Sequence, residues 1–402
     1  MSKVYLISAK RSAIGSMLGS LKETSATWLG AQVLKAVIED AKIDPAWLDE
    51  VIVGNVLSGG LKQGPARQVA IGAGVPTEVP AYALNMVCGS GLKAVMNAAT
   101  EIASGRAQLI AAGGTEVMSG APYLIGEKIR SGNKMGEMKL VDHMLQDSLT
   151  DAFSNVHMGI TAENIAQRYG ITRQMQDVFA IESQEKAIAA QDADKFKAEI
   201  VPLTVKMGRK EIVFDADEYV NRSTSLEKLG TLRPAFQKDG TVTAGNASGI
   251  NDGASFVLLA SEEAIEKYGL TPMAEVVGWG QGGVEPEVMG LGPVPAVANA
   301  LKDANRKLSE IDVLELNEAF AAQALGVVKQ LAKEHDLTEE EIKARTNVNG
   351  GAIALGHPVG ASGNRILVTL VHELKRSGKT YGLASLCIGG GMGTAVVLKN
   401  FN

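Results

Sequence analysis

The chain has few cysteines and no long apolar run. Two cysteines in 402 residues are too few for a disulfide framework of the kind that small secreted proteins need. No stretch approaches about 18 uninterrupted apolar residues, so a membrane span is not expected. The apolar run at the start is too short for a secretory signal and is typical of a first strand. These absences predict a cytoplasmic protein.

The charge balance and the residue spacing exclude other classes of protein. The 39 Lys and Arg residues are outnumbered by 45 Asp and Glu residues, which gives a net charge of −6. Nucleic-acid binding is not expected, because it needs clustered positive charge and no long basic run occurs. Neither Cys-x-x-Cys nor His-x-x-x-His spacing occurs, so a metal site is not expected either.

What the chain does have is apolar residues, at 46%, and 45 glycines, with aromatic residues at only 4%. This composition favours tight backbone packing and many strand-to-helix turns, which are typical of α/β proteins. A chain of 402 residues is also longer than a single core usually grows, so two or more core units are expected.

Weak self-similarity links the two ends of the chain. Early on, a helix-like segment leads to a strand at residues 51–55, and later a similar segment leads to residues 313–317; both strands end at an asparagine. Further along each half, Ser90 and Ser362 precede apolar-periodic runs and are expected to be helix N-caps. The repeat predicts a layered α/β fold of two similar halves with crossover connections.

The expected division of the chain follows from this repeat. Residues 1–117 form the N-terminal core half, which about residues 250–270 complete, and residues 271–402 form the C-terminal half. Residues 118–249 lie between them, are polar and turn-rich at their start, and form an inserted loop subdomain. This insert is large enough to be a lid or a binding region.

Three residues in glycine-rich turns are candidates for chemistry. Cys88 is expected at a helix N-terminus, where the dipole and free N–H groups favour a thiolate; a packed, unreactive turn is the alternative. His357 either takes the Cys88 proton or bonds local carbonyls. Cys387 lies between two predicted strands, at a hairpin end. A dinucleotide-binding glycine motif leads into a helix instead, so that class of site is disfavoured.

Four motifs together resemble those of the thiolase family. They are Cys-Gly-Ser-Gly-Leu at residues 88–92, Asn-Glu-Ala-Phe at 317–320, Gly-His-Pro at 356–358 and Cys-Ile-Gly-Gly-Gly-Met-Gly at 387–393. Residues 151–164, 243–252 and 289–296 resemble the biosynthetic branch in particular, which forms acetoacetyl-CoA. The resemblance spans nearly the full chain. It implies a duplicated, layered α-β-α-β-α core and a homotetramer built as a dimer of dimers.

The resemblance also implies a reaction and a role for each candidate. Cys88, helped by His357, would take the acetyl group of one acetyl-CoA. Cys387 would remove a proton from the methyl group of a second acetyl-CoA, and His357 and a water held by Asn317 would stabilise the enolate. The N–H groups of Cys88 and Gly389 would stabilise the tetrahedral adduct. The products are acetoacetyl-CoA and coenzyme A, and no further cofactor is implied.

The resemblance places coenzyme A against the inserted subdomain. The positions that match the family's binding residues are Leu149, His157, Met158, Phe236, Ala247, Ser248, Met289, Ala319 and Phe320. By pattern alone, Leu149, Met158, Phe236 and Met289 are typical of a core and Ser248 of a turn. One position departs from the family, which usually has an arginine where this chain has Asn221, followed by Arg222. This departure puts a charge contact with coenzyme A in question there.

Three alternatives stay open. A decarboxylating ketoacyl synthase shares the nucleophilic cysteine but uses two histidines, where this chain has Asn317 and Cys387. A degradative thiolase that prefers longer acyl chains is nearer, because the active-site residues do not encode the direction of the reaction. A catalytically silent acyl-CoA- or lipid-binding homologue would be expected to lose Cys88, His357 or Cys387, and all three are present.

Overall fold

The computed structural model describes residues 2–401 and shows a mixed α/β fold. The strands are β1 Val4–Ser12, β2 Gly15–Ser16, β3 Glu50–Gly54, β4 Ala81–Leu84, β5 Leu109–Val117, β6 Tyr123–Ile125, β7 Leu140–Asp142, β8 Ile200–Val201, β9 Leu203–Met207, β10 Lys210–Phe214, β11 Asn251–Ser261, β12 Ala274–Gly283, β13 Val313–Leu316, β14 Tyr381–Ile388 and β15 Met392–Asn400. The α-helices are α1 Ala26–Ala41, α2 Pro65–Gly72, α3 Ser90–Ala103, α4 Met158–Tyr169, α5 Arg173–Asp192, α6 Leu226–Gly230, α7 Glu262–Tyr268, α8 Pro293–Asp303, α9 Ala321–Glu334, α10 Glu339–Lys343, α11 Ala352–Leu355 and α12 Val359–Ser377.

The strand order repeats in the two halves. In the N-terminal half, β1 is antiparallel to β11, β11 is antiparallel to β5, and β5 is parallel to β3. In the C-terminal half, β12 is antiparallel to β15, β15 is antiparallel to β14, and β14 is parallel to β13. The two halves join in one continuous sheet where β1 pairs with β12 over Val4, Tyr5 and Leu6. The same order and the same strand directions confirm the duplicated α/β fold.

Helices cover both faces of the sheet in each half. Helix α1 packs on β1 and β11, and α8 packs on β12 and β15, so these two form the outer layers. Helices α3 and α12 pack on each other and on strands of both halves, so they form the central layer. Helix α12 is buried over most of its length, as a helix between two sheets must be. The order of layers is therefore α-β-α-β-α.

Glycines allow the two central helices to approach closely. A Cβ atom on Gly91 of α3 would lie 2.9 Å from the backbone nitrogen of Asn364 and 2.9 Å from the backbone oxygen of Gly360, both in α12. A Cβ atom on Gly114 of β5 would lie 2.0 Å from the same oxygen. Any larger residue would push α12 away from the N-terminal half.

The insert lies between β5 and β11. It carries two isolated hairpins, β6–β7 and β9–β10, and the helices α4, α5 and α6. Helix α4 packs on α9 and on the short helical turn Pro286–Leu291 of the C-terminal half. The insert thereby closes over the edge of the core where β14 ends. Among residues 2–401, no helix combines the length and the apolar character needed to cross a membrane.

Candidate active site

A fixed turn between β4 and α3 presents Cys88. The Ser90 hydroxyl accepts a hydrogen bond from the Met86 N–H at 2.9 Å and donates one to the Val87 carbonyl at 2.7 Å. Val87 itself has a positive φ of 45°, which is costly for a β-branched residue. Gly89, not Ser90, is the N-cap of α3. Cys88 therefore sits directly before a helix N-terminus on a strained, hydrogen-bonded turn.

His357 is held in one orientation by the start of α12. Its Nδ1 lies 2.6 Å from the Ser362 hydroxyl, which donates to the Pro358 carbonyl at 2.8 Å. Because that hydroxyl hydrogen is used, Nδ1 carries the imidazole proton and Nε2 keeps a lone pair. Nε2 is buried without a protein partner. The prediction that Ser362 is an N-cap is wrong: α12 begins at Val359, and Ser362 is the partner of His357.

Cys387 lies next to the end of β14, before a tight turn. Gly390 and Gly391 in that turn have φ values of 87° and 89°, a region that favours glycine. Cys387 is buried, and Cys88 is half-buried. The turn also places the backbone N–H of Gly389 at the Cys88 thiol, where its hydrogen bond acts to lower the pKa of that thiol.

Burial sets the resting charge of the three groups. It raises the pKa of Cys88 to about 11, although the N–H groups of Gly389 and Cys88 act in the opposite direction. The pKa of Cys387 is raised more than that of Cys88, first by burial and then by the neighbouring Cys88. Burial, and then Arg365, lower the pKa of His357 to about 4. At neutral pH, two thiols therefore face a neutral imidazole, which is the form that accepts a proton.

Asn317 occupies the position after β13 that Asn55 occupies after β3. In the N-terminal half, Asn55 Nδ2 donates to the Thr115 carbonyl and to Glu116, each at 3.0 Å. Asn317 is 1% exposed, and both of its side-chain amide atoms lack a protein partner. The fold duplicates the asparagine. The N-terminal copy is tied through Nδ2 and leaves only its Oδ1 without a partner, whereas the C-terminal copy leaves the whole side-chain amide without one.

A buried carboxyl connects the two halves behind the catalytic turn. Glu116 accepts the N–H groups of Val56 at 2.9 Å, Leu57 at 3.1 Å and Gly360 at 3.0 Å. Burial raises the pKa of Glu116 to about 7 despite these bonds. Since Gly360 follows His357 by three residues, this contact helps to hold the histidine loop against the half that carries Cys88.

One cavity of about 320 Å³ collects the predicted site residues. All of them except Asn317 line it: Cys88, Leu149, His157, Met158, Phe236, Ala247, Ser248, Met289, Ala319, Phe320, His357, Cys387 and Gly389. Catalytic groups from both halves and apolar residues from the insert thus share one space. Within the described range 2–401, no group of three or more His, Cys, Asp or Glu side chains could hold a metal ion.

Aromatic side chains form one wall of this cavity. The rings of His157 and Phe236 stack at 4.6 Å, and Phe236 meets Phe320 edge-on at 6.0 Å. His157 Nδ1 accepts the N–H of Gly159 at 3.0 Å, and burial lowers the pKa of His157. The histidine is therefore neutral and contributes an apolar ring face. Such a wall suits the alkyl and amide groups of an extended ligand.

The structure adds lining residues that sequence reasoning missed: Met118, Ser148, Tyr219, Ala235, Ala244, Gly249, Ile250 and Val359. Ala244, Gly249 and Ile250 lie inside the segment 243–252, whose resemblance was a usable signal. No signal in the sequence marks Ser148, because a serine in a polar segment is typical of a surface loop.

Asn221 and Arg222 do not line the cavity. Arg222 forms an ion pair with Asp192 at 2.7 Å, and the Asn221 side chain accepts the Ser223 N–H at 3.0 Å. The arginine therefore faces α5.

Comparisons with known proteins identify the family. Models of the thiolase N-terminal domain and the thiolase C-terminal domain match residues 4–263 and residues 270–400. The chain belongs to the thiolase family. The resemblance seen in the sequence is thereby confirmed over nearly its full length.

Full-length thiolase relatives are highly similar to this chain. The acetyl-CoA acetyltransferase of Escherichia coli strain K12 is 53% identical, with 100% of both chains covered. A probable acetyl-CoA acyltransferase of Staphylococcus aureus strain COL is 49% identical, again over 100% of both chains.

Solved thiolase structures share the fold. Bacillus anthracis acetyl-CoA acetyltransferase has a TM-score of 0.95 at 42% identity and covers 100% of this chain and 99% of its own. Human mitochondrial 3-ketoacyl-CoA thiolase in complex with CoA has a TM-score of 0.93 at 43% identity and covers 100% and 98%.

Proposed function

We propose that this chain is an acyltransferase that condenses two molecules of acetyl-CoA into acetoacetyl-CoA and coenzyme A, and that it also catalyses the reverse reaction. The observation that carries the proposal is the meeting of Cys88, Cys387, the His357 imidazole and the Gly389 N–H around one cavity. Its full-length relatives, about half identical in sequence, are named acetyl-CoA acetyltransferase. They favour this function over a degradative thiolase of longer chain preference.

The first step forms an acyl-enzyme. His357 Nε2 takes the Cys88 proton, and the thiolate attacks the thioester carbonyl of acetyl-CoA. The N–H groups of Cys88 and Gly389 stabilise the oxyanion. When the carbon–sulfur bond of the thioester breaks, the coenzyme A thiolate leaves and takes the proton of Cys387. The acetyl group is now on Cys88, His357 is an imidazolium, and Cys387 is a thiolate.

The second step forms the new carbon–carbon bond. The Cys387 thiolate removes a methyl proton from a second acetyl-CoA, and the enolate attacks the acetyl carbonyl on Cys88. His357 Nε2–H and a water held by Asn317 donate hydrogen bonds to the enolate oxygen. Collapse of the adduct releases acetoacetyl-CoA. The Cys88 thiolate then recovers its proton from His357, so all three groups return to their resting state.

The resting pKa values suit this exchange of protons. Neither thiol ionises alone at neutral pH, because burial raises the pKa of each. An imidazolium and a thiolate formed together in one buried cavity stabilise each other, because opposite charges attract strongly where the dielectric constant is low. The site therefore becomes charged only when a thioester is present to react.

Coenzyme A enters along the apolar wall of the insert. The pantetheine arm would lie against Met158, Phe236 and Met289, with the thioester directed at Cys88. The reaction balances with coenzyme A as the acyl carrier and no further cofactor.

We also infer that the enzyme is a homotetramer. The hairpin of β6 and β7 is a separate two-stranded sheet whose Tyr123 and Leu140 are 65% and 67% exposed, and Met135 in its loop is 92% exposed. An exposed apolar hairpin of this kind is typical of an interaction surface. The cytoplasm is the proposed location, because a mechanism with two free thiols needs a reducing compartment.

A thiolysis assay tests the proposed function. Purified protein mixed with acetoacetyl-CoA and coenzyme A is expected to form two molecules of acetyl-CoA per turnover, and Cys88→Ser is expected to lose nearly all of this activity. No thiolysis by the wild-type protein would contradict the proposal.

A further inference from the structure

A buried hydroxyl in the cavity has no partner and no assigned role. Ser148 is 6% exposed, and its Oγ atom lacks a hydrogen-bond partner in the protein. It also lines the cavity. Burying a hydroxyl without a hydrogen bond is costly, so such a group points to something that binds there.

The local backbone fixes Ser148 in this position. It lies in the single π-helical turn Leu145–Leu149, a type of turn that often occurs at functional sites. The residue before Ser148, Asp147, contacts His143 Nδ1 at 2.8 Å. Just after the turn, Thr150 forms a β-bridge with His157. Contacts of the residues on both sides therefore fix the backbone of Ser148.

Ser148 lies at the Cys88 end of the cavity. Its neighbour Leu149 packs, like Cys88, against the apolar cluster that contains Met118 and Val359. Ser148 is not part of the aromatic wall that would hold the pantetheine arm, and it lines the cavity together with Cys88.

A second cavity, of about 430 Å³, adjoins the first. Ser148, Met158 and Gly389 line both cavities, and Val87, beside Cys88, lines the second. These three shared residues form the partition between the acyl site and additional space. An acyl chain longer than acetyl would extend from Cys88 towards this partition.

We propose that Ser148 restricts the enzyme to short acyl groups. With an acetyl group on Cys88, the hydroxyl can bind water beside the acyl carbon. A longer alkyl chain would displace that water and leave the hydroxyl buried against methylene groups without a partner. The inference rests on the proposed function, in which the acyl group is acetyl, and adds the residue that excludes longer acyl groups.

Thiolysis of two substrates tests this inference. The specificity ratio is kcat/KM for 3-ketohexanoyl-CoA divided by kcat/KM for acetoacetyl-CoA. Ser148→Ala removes the hydroxyl without adding volume and is expected to raise the ratio about tenfold. Ser154→Ala is the matched control, because Ser154 is an exposed serine of the following loop that donates to Asp151 at 2.7 Å. It is expected to leave the ratio unchanged.

A second variant separates the hydroxyl from the space that it occupies. Ser148→Thr keeps the hydroxyl and adds a methyl group, so its ratio is expected to be no higher than that of the wild type. An unchanged or lower ratio in Ser148→Ala, or a raised ratio in Ser148→Thr, would overturn the inference. Failure of the wild type to cleave acetoacetyl-CoA would instead contradict the proposed function.

Discussion

The two cysteines have the same side chain but different surroundings. Cys88 precedes a helix and receives the Gly389 N–H, which favours a nucleophile whose adduct carries negative charge. Cys387 is 1% exposed, and nearby Cys88 adds to the effect of burial on its pKa. A thiol that ionises only after its neighbour has been acylated suits proton transfer better than nucleophilic attack. His357 lines the same cavity, and its Nε2 has no protein partner. In the proposed mechanism this nitrogen takes the proton of Cys88 and later donates to the enolate that Cys387 generates.

Replacing Cys387 separates the two half-reactions. Cys387→Ala keeps Cys88 and His357 and is still expected to form the acyl-enzyme, although more slowly, because the leaving coenzyme A no longer receives the Cys387 proton. It is expected to condense acetyl-CoA at least about a hundredfold more slowly, because general acid–base groups contribute about 10²- to 10⁴-fold. Steady-state rates of acetoacetyl-CoA formation measure this loss. A variant that condenses at the wild-type rate would remove Cys387 from the role of base.

The buried imidazole should make stability depend on pH. The folded state lowers the pKa of His357 from 6.5 to about 4, so the unfolded chain binds a proton between these pH values that the folded protein does not. Stability is therefore lost as the pH falls from 6.5 to 4, by about 3 kcal/mol. Urea unfolding at several pH values should show a steeper loss in the wild type than in His357→Asn. Equal slopes would mean that the pKa of His357 is not lowered.

At the scale of elements, the crossing of α3 and α12 sets the geometry of the site. One residue separates Cys88 from the start of helix α3, and one residue separates His357 from the start of α12. The close approach at Gly91 and Gly360 therefore fixes the distance between nucleophile and base. Glu116 reinforces the crossing by accepting the Gly360 N–H at 3.0 Å.

A methyl group at this crossing is expected to damage both stability and activity. In Gly91→Ala, the new Cβ would lie 2.9 Å from two backbone atoms of α12, and such overpacking costs about 1–3 kcal/mol. Because Cys88 and His357 move apart with the helices, kcat should fall about tenfold or more. Gly230→Ala is the control, because no atom lies within 4 Å of its new Cβ. Thermal unfolding and kcat that match the control would contradict this account of the crossing.

At the scale of the whole molecule, duplication explains how much the sequence could predict. The repeated helix–strand pattern predicted two halves, and motifs from both halves and the insert predicted the residues that now line one cavity. Ser362 was misjudged because Pro358 allows α12 to begin earlier, so the serine lies inside the helix. Ser148 escaped prediction because its burial depends on how the insert packs over the core, and a single sequence does not show that packing.

The proposed tetramer can be tested on one hairpin. A charge in Leu140→Asp would be buried without a partner at a subunit contact, so this variant is expected to lower the mass measured by light scattering. Val213→Asp is a matched control, because Val213 lies in the other isolated hairpin and is 63% exposed. A tetrameric mass for both variants would exclude the β6–β7 hairpin from the assembly.

The central claim is that Cys88 carries the acyl group while Cys387 moves the proton. The most direct test is to mix the wild-type enzyme with acetyl-CoA, quench with acid and map the acetylated peptide by mass spectrometry, with Cys88→Ala as the control. We predict one acetyl group, on Cys88, and none in the control. An acetyl group on Cys387, or no acetylation of the wild type, would contradict the account.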